Sequence, residues 1–430
     1  MDDKIRAEIR GLVSKYYREV LSKKPRHRIP ASGKVFDENE MINAVEAALD
    51  GVWTHGRFAV AFERKMSSFL GVDHCVITNS GSSANLLAVS ALFSPEIGLN
   101  RGDEIITAAA GFPTTINPII QNGGVPVFVD VKKNTYNIDE SLIEDAISER
   151  TRAIFAAHTL GNPFNVEKIK SLCKEHGLFL IEDCCDALGA RYGGRCVSTF
   201  GDLATFSFYP AHQITMGEGG AVVTGSDVMK KVVESIRDWG RDCWCMPGVD
   251  NTCGKRFEWN LGDLPEGYDH KYTYSRLGYN LKATDFQAAI GLAQLDKLPS
   301  FIDARKKNFA ALKSALSEFD CLSFAESEPP AEPCWFGFVI GLNDGCGFTR
   351  EQMTGFLEKN GIMTRLIFAG NITRQPYFRN YKINYKVSGS LDNSDYAMRN
   401  AFWIGVYPGI TENDVSHIYE TFRKFMGDIK

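Results

Sequence analysis

No run of apolar residues in this chain approaches the ~18 needed to cross a bilayer as a helix, and it has no internal repeat and no low-complexity segment. The opening stretch MDDKIRAEIRGLVSKYYREV is charged and lacks the apolar core of a signal peptide. A cytoplasmic protein with no membrane association is therefore expected. A basic stripe is also missing: 48 Lys and Arg are interspersed among 53 Asp and Glu, for a formal net charge of −5. Nucleic acid is not an expected partner of such a chain. Glycine (39) and proline (16) are not in excess over 430 residues, and 44% hydrophobic with 23% charged residues is ordinary globular usage. That composition excludes disorder, a collagen-like repeat and a coiled-coil rod. A chain this long buries a sizeable core and divides into two or three lobes.

Cysteine is not scarce. Eleven thiols in a compartment that keeps them reduced do not read as a disulfide framework. Most are expected in the core, and any cluster that stands out is a metal candidate.

The first ~30 residues carry the pattern of one or two amphipathic helices, closed by Pro25 and Pro30. From Phe36 to about Gly225, β-rich runs (HCVIT at 74–78, DEIITAA at 103–109, VPVFVDV at 125–131, RAIFAAH at 152–158, LFLIED at 178–183) alternate with helical stretches. This order predicts a mostly parallel sheet covered on both faces. Residues 238–279 form a Gly-, Cys- and Trp-rich stretch with little periodicity, too long for a plain connector. Residues 285–319 then read as one or two long helices leading to an α+β lobe that contains the strand WFGFVIGL (335–342). The expected division is an N-terminal helical segment (1–35), a large cofactor-binding domain (36–295) carrying the 238–279 loop, and a small C-terminal domain (296–430).

Three segments carry chemistry. In Thr78-Asn79-Ser80-Gly81-Ser82-Ser83-Ala84-Asn85, small residues join a strand to a helix. Free amides there attract an anion, making Gly81, Ser82 and Ser83 candidate phosphate ligands, although the same pattern serves as a plain strand–helix joint. In Ile181-Glu182-Asp183 a carboxylate ends a strand, where open α/β sheets bind ligands; it could also cap the next helix. Thr205-Phe206-Ser207-Phe208-Tyr209-Pro210-Ala211-His212, followed by Gly217-Glu218-Gly219-Gly220, brings a hydroxyl, an aromatic ring and a base onto one turn.

Together and in this order, with Trp53-Thr54-His55-Gly56 before them and YNLKATDFQAAIGLAQL after, these segments resemble the pyridoxal-phosphate-dependent nucleotide-sugar aminotransferase family. The resemblance implies fold type I, the aspartate-aminotransferase-like α/β fold: a large domain with a mixed, mostly parallel sheet and a smaller α+β domain. It implies Gly81, Ser82 and Ser207 as phosphate ligands, Phe112 stacking on the pyridine, and Asp183 pairing with the pyridine nitrogen. It also implies Asn280 reaching the phosphate from a neighbouring subunit of a homodimer.

One departure decides the chemistry. The family's turn reads Ser-Phe-His-x-x-Lys, and its lysine holds the cofactor as a Schiff base; here that position is His212. An imidazole cannot form that bond, but it can move protons near neutrality. Tyr209 and Asp186 stand where the family often has His, and His or Gln, so these three form the expected catalytic set. A non-covalent pyridoxamine phosphate (PMP) with a histidine base resembles the 3-dehydrases of nucleotide-linked 4-keto-6-deoxyhexoses, in which the amine of PMP meets the C4 ketone and the C3 hydroxyl is expelled.

The cysteines sharpen this. Cys185, Cys243, Cys245 and Cys253 follow C-x57-C-x-C-x7-C. Four thiolates suffice for a [2Fe–2S] or [4Fe–4S] cluster or for zinc, and generic spacing rules do not choose among them. The branch typified by CDP-6-deoxy-4-hexulose 3-dehydrase carries a [2Fe–2S] cluster on this pattern, and GRDCWCMPGVDNTCGKRF resembles it closely. That resemblance implies those four cysteines as ligands, with Cys184 competing for the first place. It further implies an NADH-dependent flavin/iron–sulfur reductase as partner, docking near 238–270. Cys75, Cys173, Cys196, Cys321, Cys334 and Cys346 read as thiols with no role. Arg365, Asn371, Arg374 and Gln375 are candidate contacts for the diphosphate of the nucleotide sugar, or a solvated charged loop. His55 and His158 read as structural, and Trp53 either lines the substrate pocket or belongs to the core.

Overall fold

The computed structural model describes residues 2–243, 245, 251–259 and 261–428. The apolar runs named above become strands His74–Thr78, Glu104–Ala108, Val125–Val129, Thr151–Ala157 and Phe179–Asp183. With Leu203–Ser207, Gly220–Thr224 and Lys386–Val387 they form an eight-stranded sheet. Across the sheet the order of first residues is 74, 220, 203, 179, 151, 104, 125, 386. Only the 220–224 strand runs against its neighbours; the remaining pairings are parallel. The strands are apolar along their whole length rather than alternating because both faces are covered. One face packs Ile77, Ile106, Ile154 and Phe206, while the other packs Val76, Ile105, Phe155 and Ile181.

Helix Gly81–Leu92 shows the same logic. Its sequence, GSSANLLAVSAL, has almost no polar face, and nine of its twelve residues are buried.

A second, four-stranded antiparallel sheet is built from Leu322–Phe324, Gly337–Leu342, Ala401–Gly405 and Arg365–Leu366, in that spatial order. It has its own core around Phe338, Ile340, Phe402 and Ile404. The two cores are joined by one uninterrupted helix, Asp285–Leu316. Ala288, Leu295, Leu298 and Phe301 of this helix belong to the first core, and Phe309, Leu312 and Leu316 to the second. The boundary expected at 295/296 therefore falls inside a continuous helix.

The N-terminal helix Asp2–Tyr16 buries no residue. It is held by charge instead, with Arg6 on Glu46 (2.7 Å) and Asp50 (3.1 Å) and Arg10 on Glu46 (2.8 Å). Beyond it, Ile29 and Ala31 are buried in the second core, so the 1–35 segment ends by packing on the C-terminal lobe. Among the described residues no helix is long and apolar enough to cross a membrane.

One polar contact fixes how the long helix meets the helix Arg57–Leu70. That helix starts at Gly56, which offers no side chain to cap it. Asp285, fully buried, supplies the cap from a distance: Oδ1 accepts the N–H groups of Gly56 (3.0 Å) and Ala59 (2.8 Å), and Oδ2 that of Phe58 (3.4 Å). The approach is so close that a Cβ at position 56 would lie 2.6 Å from the carboxylate, which explains the glycine. Asp285→Ala strands these buried donors and is expected to lower stability by about 3 kcal/mol, read as a shift in the urea midpoint of the apoprotein. A shift within error would show that the carboxylate is not the cap.

Candidate active site

A cavity of about 830 Å³ opens at the C-terminal ends of the parallel strands. Asp183, Ser207 and His158 come to it directly from strand ends, and Gly81, Ser82 and Phe112 come from the starts of the helices that follow strands. Open α/β sheets bind ligands in this position because the strand-to-helix turns leave unpaired amides and short side chains at one edge.

Asp183 is held from three sides in the cavity wall. Its Oδ2 accepts from Asn85 Nδ2 (2.9 Å) and Thr115 Oγ1 (2.7 Å), and its Oδ1 accepts the amide of Cys185 (3.1 Å). Asn85 is in turn oriented by Thr205, whose hydroxyl donates to Asn85 Oδ1 (2.5 Å). A buried carboxylate held by these donors, with no cation paired to it among the described residues, is suited to a cationic ring nitrogen. Sequence alone does not single out Asn85 or Thr115, although Asn85 closes the Thr78–Asn85 segment and Thr115 follows Phe112 in GFPTT.

The phosphate end is a cradle of small groups. Ser80 Oγ accepts the amide of Ser83 (3.1 Å) and the Ser80 carbonyl accepts that of Ala84 (3.0 Å), which leaves the amides of Gly81 and Ser82 for an anion. Ser207 stands so close that a Cβ on Gly81 would lie 2.4 Å from its own Cβ. Ser80 is therefore the cap and takes up the Ser83 amide, so Ser83 is not left for the anion; the Ser83 hydroxyl donates to Asn79 (2.6 Å). Phe112 is 50% exposed and braced edge-on by Phe368 at 5.8 Å, leaving a ring face for stacking. These residues fit a pyridoxal-type cofactor.

His212 and Asp186 face each other across the cavity floor, Nδ1 to Oδ1, at 3.5 Å. Burial, and then the positive charge of Arg305, hold the His212 imidazole down to about 3. Burial, and then the negative charge of Asp183, push the Asp186 carboxyl up to about 8. Around neutrality the pair is thus a neutral imidazole beside a protonated acid, not an ion pair. Arg305 is almost wholly buried and donates to the main-chain oxygens of His212 (3.0 Å) and Trp335 (3.1 Å), fixing the turn that presents the imidazole. Tyr209, half exposed, lines the same cavity, and its carbonyl accepts the His212 amide (3.0 Å).

Of the candidate diphosphate contacts, Arg365 and Gln375 line the cavity. Asn371 and Arg374 do not: both are committed to Asp395. His55 sits on Glu63 (3.3 Å), and Trp53 is exposed. His158 borders the cavity but is buried on Glu182 (3.1 Å) and stacked on Phe164. Asn280 is exposed and outside this chain's cavity wall.

The adjacent thiols 184 and 185 point to different places. Cys184 is fully buried in the core, in a group with His158 and Glu182, while Cys185 lines the cavity. The loop cysteines assemble separately. Donor atoms of Cys243, Cys245 and His270 lie within 4.8 Å of one another, and Cys253 Sγ is 3.7 Å from His270 Nε2. Burial pushes the Cys243 thiol up. At Cys245 burial is overridden by hydrogen bonds with Thr252, Cys253 and His270, and the thiol is held down to about 6. Thiolate character of this kind suits a metal. Cys185 is not part of the group, and His270 was not singled out from the sequence.

Comparison with known proteins gives concordant results. The model of the DegT/DnrJ/EryC1/StrS aminotransferase family matches residues 36–423. The Salmonella typhimurium lipopolysaccharide biosynthesis protein RfbH is 55% identical over 431 residues, covering 98% of each chain. The dTDP-4-dehydro-2,6-dideoxy-D-glucose 3-dehydratase of Saccharopolyspora spinosa is 53% identical over 401 residues, covering 93% of this chain and 86% of that one. The solved structure of Escherichia coli GDP-4-keto-6-deoxy-D-mannose-3-dehydratase with bound hydrated PLP superposes with a TM-score of 0.83 at 29% identity, covering 92% of this chain and all of that one. The fold is that of the fold type I pyridoxal-phosphate enzymes.

The Asp186 geometry predicts a pH effect of definite sign. With a folded value near 8 and an unfolded one near ~3.9, the folded apoprotein carries a proton between those values that the unfolded chain has lost. Stability therefore falls as pH rises through this window. Asp186→Asn removes that slope, so its melting temperature relative to wild type should increase from pH 5 to pH 8. A constant difference across the window would contradict a protonated Asp186.

Proposed function

The chain belongs to the DegT/DnrJ/EryC1/StrS aminotransferase family, and from its departure at position 212 we propose that it removes the C3 hydroxyl of a nucleotide-linked 4-keto-6-deoxyhexose rather than transferring an amine. The observation that carries this reading is the imidazole of His212 in the cavity, where the family has its lysine. PMP, when bound, supplies a primary amine for the sugar's C4 ketone and a protonated ring that withdraws electron density.

The chain's own groups do the rest. Gly81, Ser82 and Ser207 hold the phosphate, Phe112 covers one ring face, and Asp183 keeps the ring nitrogen protonated. Once Asp183 is paired with that cation, its charge no longer opposes ionisation of Asp186. Asp186, once ionised, would accept a hydrogen bond from Nδ1–H of His212 and hold the tautomer whose other ring nitrogen is free to take up a proton from the C4′ carbon of a bound coenzyme. Tyr209 lies at the same edge of the cavity. Arg365 and Gln375 are the residues offered to the nucleotide diphosphate.

Replacing a C3 hydroxyl by hydrogen consumes two electrons and two protons and releases water. We assign the electrons to NADH, delivered through a flavin/iron–sulfur reductase to a [2Fe–2S] cluster centred on the loop cysteines, in a homodimer. The 3-dehydratase and lipopolysaccharide-biosynthesis relatives support a 3-deoxy sugar product of the kind used in O-antigen chains. CDP is the first nucleotide to test, with dTDP and GDP beside it. A cluster-free dehydration is the second reading, and bound iron separates the two.

His212→Asn should slow solvent exchange of the C4′ proton by about 10³-fold while PMP still binds, and borohydride should fix no coenzyme to the wild-type chain. Unimpaired exchange in the variant, or coenzyme fixed covalently, would reject the histidine-base reading.

A further inference from the structure

Behind the turn that presents His212, two polar atoms are buried without a match. Arg305 and Gln213 are 1% and 2% exposed, and Arg305 Nε and Gln213 Oε1 have no hydrogen-bond partner among the described residues. Both residues, with His212, line a small cavity of about 10 Å³ that is separate from the main one. Leaving a buried donor and a buried acceptor unsatisfied is costly, and folded chains satisfy nearly all such groups.

The orientation of the amide decides what fits between them. Gln213 Nε2 donates to the main-chain oxygens of Asp186 and, at 3.0 Å, of Cys334. Two carbonyl partners fix that end as the NH₂ group, so the free atom is the acceptor Oε1. Arg305 donates through Nη2 to the His212 carbonyl (3.0 Å) and through Nη1 to that of Trp335 (3.1 Å), which leaves its Nε–H as a donor. A single small group must therefore accept from one side and donate to the other. An anion would suit Arg305 but meet the lone pairs of Gln213, and a cation would be repelled by the guanidinium. Water meets both needs, and the cavity is about the size one water molecule requires.

We infer that Gln213 and Arg305 are positioning residues which, bridged by one buried water, clamp the main chains of Asp186 and His212 into a single hydrogen-bonded ring. The inference rests on the reading of His212 as the base. Asp186 Oδ1 stands 3.5 Å from His212 Nδ1, just outside a good hydrogen bond, so a small shift of either turn decides whether the two groups engage. Gln213 holds the carbonyl of one turn and Arg305 that of the other, and the water joins the two holders. Neither residue lines the main cavity. The gap is thus set from behind, and both residues act through the pair rather than on the substrate.

Two measurements on the full-length protein test the clamp. A crystal structure, with a bromide-soaked crystal beside it, should show one water within about 3 Å of both Arg305 Nε and Gln213 Oε1 and no anomalous signal there. A bromide peak at that place, or a direct bond between the two side chains, would overturn the bridge. In PMP-loaded protein, Gln213→Leu, which approximates the volume, and Arg305→Lys, which keeps the charge, should each slow solvent exchange of the C4′ proton by about 10²-fold with the PMP dissociation constant unchanged. A merely structural role would weaken coenzyme binding as well. Wild-type exchange in either variant, or exchange and binding lost in parallel, would overturn the proposal. Should Gln213→Leu fail to fold, Gln213→Glu keeps the acceptor but offers the Asp186 carbonyl no donor, and the same split is expected. Wild-type protein that exchanges no C4′ proton would reject the base reading, while the crystal alone still decides the bridge.

Discussion

A single buried carboxylate organises this site. Asp183 ends a central strand and receives donors from helix 81–92 through Asn85, from helix 113–121 through Thr115, and from its own following turn through the Cys185 amide. Thr205 on the neighbouring strand completes the chain by orienting Asn85. Four elements are thereby tied to one charged group, and each carries a further piece of the site close by: the Gly81–Ser82 amides, the Phe112 ring, Asp186 and Ser207. An isolated carboxylate could not be buried at this depth without such donors, so the network that satisfies it also fixes the relative placement of the phosphate cradle and the ring pocket.

The base side depends on the same charge. Asp183 helps keep Asp186 protonated, and Arg305, held beneath the turn by main-chain oxygens, helps keep His212 neutral. Burial and these charges thus disfavour an ion pair between two titratable groups 3.5 Å apart. A cation arriving at Asp183 would change the balance between them, which couples occupancy of the ring pocket to the protonation state of the groups beside it.

Much of the architecture was legible because its signals are local. The strands HCVIT and VPVFV were readable as buried parallel strands from apolar runs bounded by turn residues, and the Gly81, Asp183 and His212 segments announced themselves through residue types that suit strand ends. The partners of these groups were less visible. Asn85 and Thr115 are unremarkable polar residues in sequence, and only folding brings them onto Asp183. Arg305 reads as one more charge on a long helix, yet it is buried under His212 from ninety-three positions away. Asn371 and Arg374 looked like anion ligands, but Asp395 lies within reach and claims both.

The cysteines divide along the same line. Residue types and order were enough to mark positions 185, 243, 245 and 253 as candidate ligands, while spacing alone did not choose among the metals they could hold. Sequence could not tell which way two consecutive thiols face; at a strand end successive side chains diverge, sending Cys184 into the core and Cys185 into the cavity. Nor could it bring His270, seventeen positions beyond Cys253 in an aperiodic loop, to the remaining thiols. The chain alone determined the fold class, the cofactor cradle and the substitution at 212, because these reside in short contiguous segments. Tertiary structure decided which carboxyl is pushed up by burial, which arginine lines the cavity and which donors surround the loop thiols, because burial and long-range contact set those properties.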